Sequence, residues 1–407
     1  MLPNWLTNEY FQPWLQKYYK DEGLKVLKIW AKPAGGKGEN FVGVMTRIQV
    51  DFQQGDGVLK NESYIVKQAL SPDIPQTAVF VEYDLYQREM NMYEFILPKL
   101  KEILQEAGLH EKLTADAVVV DRERSTIILE DLTSLKYKNA NRVNLLGMHH
   151  TKVTVEMLAR FHAAGVVLKQ RHPELLSQCF FTNFFSRDKK AYTEVYTGLY
   201  RAFMRFIDTQ PELKKTYGEK LEKLRPHIME YGARAYDVTD QDLQTLIHGD
   251  CWTTNVMYQY DNEGTPIHVV GIDFQFSNIT SPVIDLHYFF TTSLRDEVKE
   301  EEAELVKFHY LTLKENLKKL AYQGPFPSLQ EYQDQFERRR FKSLMANLFK
   351  PGMTYNGTED VSDFSDLYSD TPKGRHVQKA MYTNELYQQS IPKLLALLDS
   401  KGVLDIQ

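Results

Sequence analysis

A short polar segment near residue 250 constrains the fold more than any other feature of this 407-residue chain. Asp250 is followed by Asn255 five residues later, and Asp273 comes eighteen residues after Asn255. The β-like stretches between Asn255 and Asp273 are separated by Asp261–Gly264, a sequence typical of a hairpin turn. A hairpin would bring Asn255 and Asp273 close together and would leave Asp250 on the loop that precedes it.

Two carboxylates and one amide oxygen at this spacing indicate a magnesium site. Mg²⁺ prefers oxygen ligands and is usually held by one or two carboxylates together with substrate phosphates, so a nucleotide is implied as well. Phosphoryl-transfer enzymes use the same order of a catalytic Asp, a metal-binding Asn and a later metal-binding Asp. The alternative is a loop in which each polar side chain only satisfies backbone groups. The combination of all three residues favours the functional interpretation.

The first third of the sequence predicts a small sheet layered with a helix. Val58–Leu70 forms the second strand of a predicted hairpin and carries Lys67 at a β-branched centre. A lysine is locally unfavourable there, which suggests a partner in a cleft; an edge lysine that faces water is the alternative. A helical pattern follows from about Thr77 to Leu109, with Pro98 expected to divide it. Ala117–Asp121 and Ser125–Glu130 predict two further strands.

Composition narrows the class of protein. With 43% hydrophobic and 26% charged residues, the chain resembles an average globular protein, and its two cysteines cannot build a disulfide framework or a four-thiolate zinc site. The net charge of −6 offers no basic surplus for a nucleic-acid polymer or a membrane surface. The first residues show no secretory signal, so we expect a cytoplasmic protein.

The motif residues resemble those of a known family. Residues 248–255 read HGDCWTTN and residues 273–275 read DFQ. This combination is similar to the protein-kinase-like branch that contains choline kinases and aminoglycoside phosphotransferases, and it most resembles the ecdysteroid-kinase-like family. A protein kinase is disfavoured because DFQ replaces DFG and no Ala-Pro-Glu triplet follows.

The resemblance implies a role for each matching residue. Asp250 would accept the proton of the acceptor hydroxyl, and Asn255 and Asp273 would hold Mg²⁺. Lys67 would contact the α- and β-phosphates of ATP. Its partner would be Glu89, because the family pattern Arg/Lys-Glu-x-x-x-Tyr matches 88–93, although Glu82 and Glu94 share the helical stretch.

Further cofactor-binding positions also follow from the resemblance. The family's Gly-x-Asn-Tyr stretch is similar to Gly38, Asn40 and Phe41, which would lie over the phosphates; an ordinary flexible turn is the alternative. Glu130 and Leu132 match the hinge that presents backbone groups to adenine. His162 and Asp285 match family positions that we interpret as structural. The cofactors implied are therefore ATP and Mg²⁺.

These observations predict an α+β, bilobal protein-kinase-like fold. The small antiparallel-sheet N-lobe would span residues 1–131, and the larger, mostly helical C-lobe residues 132–407. The expected function is an ATP-dependent kinase that phosphorylates a hydroxyl of a lipophilic small molecule, ecdysteroid-like or otherwise. The alternatives are a choline- or aminoglycoside-type kinase with a cationic acceptor and a catalytically silent nucleotide-binding protein. The sequence leaves open the oligomeric state and the role of the loop-like stretch 351–373.

Overall fold

A computed structural model describes residues 2–32, 43–70, 78–358 and 363–407 of the chain. The N-lobe begins with helix α1 and contains a five-stranded antiparallel sheet in the order β1-β2-β3-β5-β4. Its elements are α1 (Asn8–Tyr19), β1 (Lys25–Lys32), β2 (Gly43–Gln53), β3 (Leu59–Ala69), α2 (Ala78–Glu82), α3 (Leu85–Asn91), a π-helical turn (Met92–Ile96), α4 (Leu97–Glu106), β4 (Ala117–Asp121) and β5 (Thr126–Glu130).

The two faces of the sheet have different roles. On one face, Tyr64 and Val66 of β3 pack with α1 residues such as Phe11 and Leu15. Because side chains alternate along a strand, Lys67 lies on the opposite face. The hairpin of β2 and β3 pairs Met45 with Lys67. The sheet therefore buries one face under α1 and directs the lysine toward the rest of the protein.

The N-lobe differs from the sequence-based prediction in two respects. Neither α1 nor β1 was predicted, and β1 has the irregular burial of an edge strand, without the period-two pattern. Pro98 does not end the predicted helix: it lies in the first turn of α4, and the helical backbone continues into α4 from the π-helical turn Met92–Ile96. The chain turns earlier, at Asp84, whose backbone is left-handed with a φ of 52°.

The C-lobe is mostly helical and contains two small antiparallel sheets, one of β6 with β9 and one of β7 with β8. Its helices are α5 (Met148–Arg171), α6 (Ala191–Asp208), α7 (Pro211–Leu224), α8 (Ile228–Tyr236), α9 (Val283–Ser293), α10 (Asp296–Lys299), α11 (Glu302–Lys319), α12 (Leu329–Arg338), α13 (Phe341–Asn347), α14 (Lys350–Met353), α15 (Pro372–Met381) and α16 (Glu385–Ser400). Its strands are β6 (Thr245–Ile247), β7 (Val256–Tyr260), β8 (Pro266–Gly271) and β9 (Asn278–Thr280).

The expected loop at 351–373 is partly helical. Helix α14 begins it, a 3₁₀ turn covers Phe364–Leu367, and α15 ends it. Among the described residues, no helix is both long and apolar enough to cross a bilayer.

One hydrophobic core joins the two lobes. It contains N-lobe residues such as Met90 and Tyr93 together with C-lobe residues such as Phe161 and Phe274. The proposed division between 131 and 132 falls between β5 and a 3₁₀ turn, Leu132–Leu135. Continuous packing across that division fixes the sheet face that carries Lys67 against the C-lobe hairpin.

Candidate active site

Lys67 lies between two carboxylates from different parts of the chain. Its Nζ is 2.7 Å from Glu89 Oε1 on α3 and 3.0 Å from Asp273 Oδ1, just after β8. Lys67 and Glu89 are both buried, whereas the Asp273 side chain is 20% exposed. The ammonium thus connects a strand and a helix of the N-lobe to the loop of the C-lobe that carries Asp273.

Burial and the neighbouring charges shift the pKa values of Lys67 and Glu89 in opposite directions. Burial disfavours the charged form of Lys67, but Asp273 and Glu89 together raise its pKa above the ordinary value. Burial raises the pKa of Glu89, and the neighbouring Lys67 offsets part of that rise. Lys67 therefore remains a cation at neutral pH and can bind an anion placed beside Asp273.

Arg88 fixes the helix that carries Glu89. Its buried guanidinium donates to the carbonyl oxygens of Tyr83 at 3.2 Å, Thr182 at 3.0 Å and Gln275 at 3.5 Å. Because Gln275 follows Phe274 in the Asp273 loop, one side chain links α3 to that loop. In the sequence, Arg88 stands out only as part of the pattern at 88–93, which does not predict this role.

The predicted hairpin is formed, and it brings Asn255 next to Asp273. Strands β7 and β8 pair Val256 with Gly271. The backbone N–H of Ile272 donates to the carbonyl of Asn255 at 2.9 Å. Asp273 is the next residue, so both side chains stand at the open end of the hairpin. Asp273 has a left-handed φ of 64°, a conformation that Asp tolerates better than most residues and that is common at functional sites.

Asp250 is held against Asn255 on the preceding loop. The Asn255 side-chain amide donates to the Asp250 carbonyl at 2.9 Å and to Asp250 Oδ2 at 2.8 Å. Burial raises the pKa of Asp250 to about 7, and nearby Asp273 adds to this rise. The neighbouring Tyr288 hydroxyl and the Asn255 hydrogen bond favour the charged carboxylate and oppose it. A partly exposed carboxyl group with that pKa suits a general base.

Asp285 supports the loop that carries Asp250. Its fully buried carboxylate accepts the N–H of His248 at 2.7 Å, the N–H of Gly249 at 2.8 Å and a hydrogen bond from His162 at 3.0 Å. Burial opposes its charge, but the hydrogen bonds and the imidazole charges lower its pKa overall. His162 is buried and also bonds His309 at 3.0 Å. The structural interpretation of His162 and Asp285 agrees with these contacts.

Three aromatic rings pack against Phe274 in the loop that carries Asp273. The Phe274 ring lies 4.7 Å from the His248 ring, 5.8 Å from Phe161 and 6.0 Å from Tyr93, centroid to centroid. His248 also donates to the carbonyl of Ile272 at 3.0 Å, which joins the two loops directly. Phe274 therefore contacts rings from both lobes and joins the loop of Asp273 to the loop that carries His248 and Asp250.

The remaining predicted cofactor positions fall in two groups. Gly38, Asn40 and Phe41 lie outside the described residues. Glu130 ends β5, is half-buried, and pairs with Lys112, and Leu132 is buried in the turn that follows. These two residues lie at the connection between the lobes, as the resemblance requires of a hinge.

The donors beside Asp273 fit a magnesium ion. Asn255 directs its amide nitrogen at Asp250, which leaves its amide oxygen available as a metal ligand at the hairpin end that also carries Asp273. Within the described ranges, no group of three or more His, Cys, Asp or Glu side chains is arranged as a metal site. A hard cation held by one carboxylate and one amide would complete its coordination with water and phosphate oxygens, as Mg²⁺ commonly does.

Two residues near Asp250 were not identified from the sequence. Tyr288 on α9 and the buried Lys342 on α13 are both near enough to Asp250 to favour the charged form of its carboxylate. The only available signal for Lys342 was a charge within an apolar helical stretch, FKSLMAN.

This combination of fold and site defines a class: a bilobal, kinase-like phosphotransferase of the small-molecule type. Residues 37–322 match the model of the ecdysteroid kinase-like family, and the chain belongs to that family. A comparison with curated proteins finds no match.

The solved structures that this chain matches include two kinases. An ethanolamine kinase from Plasmodium vivax has 11% sequence identity and a TM-score of 0.45, with 92% of this chain and 83% of that chain covered. A glucosamine kinase has 11% identity and a TM-score of 0.26, with 99% and 98% covered.

Proposed function

We propose that this protein transfers the γ-phosphoryl group of ATP to a hydroxyl of a lipophilic small molecule. The observation that carries the proposal is the position of Lys67, within 2.7 Å of Glu89 and 3.0 Å of Asp273. A buried ammonium that reaches a partly exposed carboxylate at the hairpin end supports phosphate binding at this position. Family membership supports the same reaction class.

Asp250 would act on the acceptor. Its carboxylate would orient the hydroxyl and accept its proton as the hydroxyl oxygen bonds to the γ-phosphorus and the bond from that phosphorus to the β-γ bridging oxygen breaks. ADP leaves with the bridging oxygen, and the acceptor leaves as a phosphate monoester. Tyr288 and Asn255 would fix the carboxylate during this step.

The nucleotide would lie between the lobes. Lys67 would bind the α- and β-phosphates, and the backbone at Glu130–Leu132 would bind adenine. The family resemblance also assigns phosphate binding to residues 38–41, which lie outside the described residues. Mg²⁺, held by Asn255 and Asp273, would supply positive charge to the phosphate oxygens. The cytoplasm is the proposed location, because ATP is available there.

A direct test detects the product. Purified protein with Mg-ATP and 20-hydroxyecdysone, together with a panel of steroids, phenols and small alcohols, is expected to yield a product heavier by one phosphate. Asp250→Asn should lower the rate about 10²- to 10⁴-fold. Asp261→Asn, in the exposed turn between β7 and β8, is the matched control and should retain the full rate. Unimpaired turnover by Asp250→Asn would contradict the role of Asp250.

The same panel separates the two alternatives. Choline, ethanolamine and an aminoglycoside should be poor acceptors if the proposal is right. Binding of ATP without a product from any acceptor would favour a silent nucleotide-binding protein.

A further inference from the structure

A buried lysine lies among aromatic rings next to the proposed base. Lys342 is 2% exposed. Its Nζ is 4.7 Å from the ring centroid of Tyr288, 5.3 Å from that of Tyr236 and 5.9 Å from that of Phe185. In the part of the chain that the structure describes, no hydrogen-bond acceptor bonds this ammonium. A buried ammonium has three N–H donors, and unmet donors are costly away from water.

Tyr288 connects this lysine to Asp250. The ring of Tyr288 lies under the Lys342 ammonium, and its hydroxyl is near enough to Asp250 to favour the charged form of that carboxylate. Burial lowers the pKa of Lys342 to about 8, while Asp250 and Asp285 favour its charged form. The ammonium is therefore one side chain away from the proposed base.

Two tyrosine hydroxyls nearby are also without partners. The hydroxyls of Tyr192 and Tyr236 are buried and have no hydrogen bond among the described residues. Burial raises the pKa of both phenols, and the negative charge of Asp250 raises each of them further. Buried polar atoms of native proteins are nearly always hydrogen-bonded, so unpartnered ones indicate a bound molecule or water.

We propose that Lys342 determines the class of acceptor, because its ammonium occupies the aromatic cage beside Asp250 and offers its free N–H groups to an oxygen of the substrate. The proposal rests on the proposed kinase function and extends it. The acceptor is then a molecule with a hydroxyl, ether, carbonyl or carboxylate oxygen near the hydroxyl that is phosphorylated. It carries no fixed positive charge.

Repulsion between like charges is the reason why a cationic acceptor is excluded. Aromatic cages bind quaternary ammonium groups through the negative faces of their rings, but this cage already holds the protein's own cation. A second cation would meet like-charge repulsion in a medium that screens charge poorly. The cationic alternative from the sequence analysis is therefore disfavoured by a residue that the sequence motifs do not include.

Tetramethylammonium tests the cage without any need for turnover, because it has a fixed charge and no hydroxyl. Its binding to wild type, Lys342→Ala and Lys314→Ala is measured by calorimetry. Lys314 is a matched control, since it also lies over a tyrosine ring, Tyr310 at 5.9 Å, but is exposed on α11. We expect Lys342→Ala to gain at least about tenfold in affinity over wild type and Lys314→Ala to gain nothing. A folded Lys342→Ala protein without that gain overturns the proposal.

A second measurement uses wild type alone, in case Lys342→Ala does not fold. Choline and its uncharged isostere 3,3-dimethyl-1-butanol are compared as ligands in the presence of Mg²⁺ and a non-hydrolysable ATP analogue. Tighter binding of the uncharged compound supports the proposal, and equal or tighter binding of choline contradicts it. Both binding tests decide the role of Lys342 even if no phosphorylated product is found, so failure of the kinase proposal stays distinguishable.

Kinetics add a readout that a purely structural role would not change. With an oxygen-rich acceptor such as 20-hydroxyecdysone, Lys342→Met should raise the KM for the acceptor about tenfold or more through loss of a charged hydrogen bond. The KM for ATP should stay within about twofold of the wild-type value. Equal increases in both constants would contradict a specific role at the acceptor.

Discussion

Asp285 Oδ1 accepts the backbone N–H of Gly249 at 2.8 Å, which fixes the residue immediately before the proposed base. Gly249 has a left-handed φ of 83°, and a Cβ there would lie 2.1 Å from the carbonyl oxygen of Phe276. Only glycine fits this backbone. The position of Asp250 therefore depends on a glycine and on a buried carboxylate 36 residues further along the chain.

Substitution of Gly249 should be far more costly than substitution of a glycine with the same backbone conformation in open space. Gly264 has a φ of 82° and no atom within 4 Å of the added Cβ, so Gly264→Ala should cost only about 1–2 kcal/mol of stability. Gly249→Ala adds a clash with backbone and should cost about 2–5 kcal/mol. Thermal unfolding of both variants measures the difference. Equal melting temperatures would contradict the steric argument.

Loss of the Asp285 carboxylate should unfold or strongly destabilise the C-lobe. Asp285→Ala leaves two buried backbone N–H groups and the His162 imidazole without an acceptor, at a cost of about 3–5 kcal/mol. Asp261 also accepts two backbone N–H groups but is exposed in a turn, so Asp261→Ala should cost about 1 kcal/mol. Denaturant unfolding of the two variants provides the comparison. A small effect of Asp285→Ala would show that water replaces the carboxylate.

Lys67 should contribute strongly to nucleotide affinity. Lys67→Met is expected to weaken Mg-ATP binding about 10- to 100-fold, since it removes a charged hydrogen-bond donor from the phosphates. Lys60 lies on the same strand, β3, with an exposed side chain, so Lys60→Met should bind as wild type does. Calorimetric titration with Mg-ATP measures both. If the two variants bind Mg-ATP with similar affinity, Lys67 does not bind the phosphates.

The raised pKa of Asp250 predicts a pH-dependent effect on stability in the metal-free protein. Its folded-state pKa of about 7 exceeds the ordinary value of 3.8, so the fold favours the protonated form. This stabilising contribution is complete below pH about 4 and is lost as the pH rises through 7. The difference between these two pKa values, at 1.36 kcal/mol for each pKa unit, limits the contribution of Asp250 to stability to about 4 kcal/mol.

Asp250→Asn removes the cost of a buried negative charge. Its melting temperature should therefore exceed that of wild type by more at pH 8 than at pH 5, with EDTA present at both. Thermal unfolding of the two proteins across this range tests the sign. A melting-temperature difference that is larger at pH 5 would contradict the raised pKa.

The parts of the molecule that the sequence predicted well have strong local signals. The hairpin of β7 and β8 follows from its turn residues, and β4 and β5 follow from compact apolar runs. The predicted partners Lys67 and Glu89 are in contact, because the spacing of strand and helix is set by the fold family. The roles of these residues in catalysis stay predictions.

Other features depend on contacts between distant segments. Lys342 and Asp250 are 92 residues apart in sequence, and no local pattern indicates that α13 packs beside the loop that carries Asp250. The effect of Pro98 depends on whether it begins a helix or lies inside one, which periodicity alone does not decide. Strand β1 is paired by β2 and has little apolar character of its own.

The proposed function depends on a metal ion that Asp273 and Asn255 would bind together with the nucleotide. Its most direct test is the stabilisation of the protein by ATP, with and without Mg²⁺, in wild type and in Asp273→Asn. At ATP concentrations about 100 times the dissociation constant, wild type with Mg²⁺ should gain about 2.7 kcal/mol, and much less without the ion. Asp273→Asn should show the same small gain in both conditions. Equal stabilisation of wild type with and without Mg²⁺, or an undiminished magnesium effect in Asp273→Asn, would contradict a nucleotide-bound metal ion at Asp273 and Asn255.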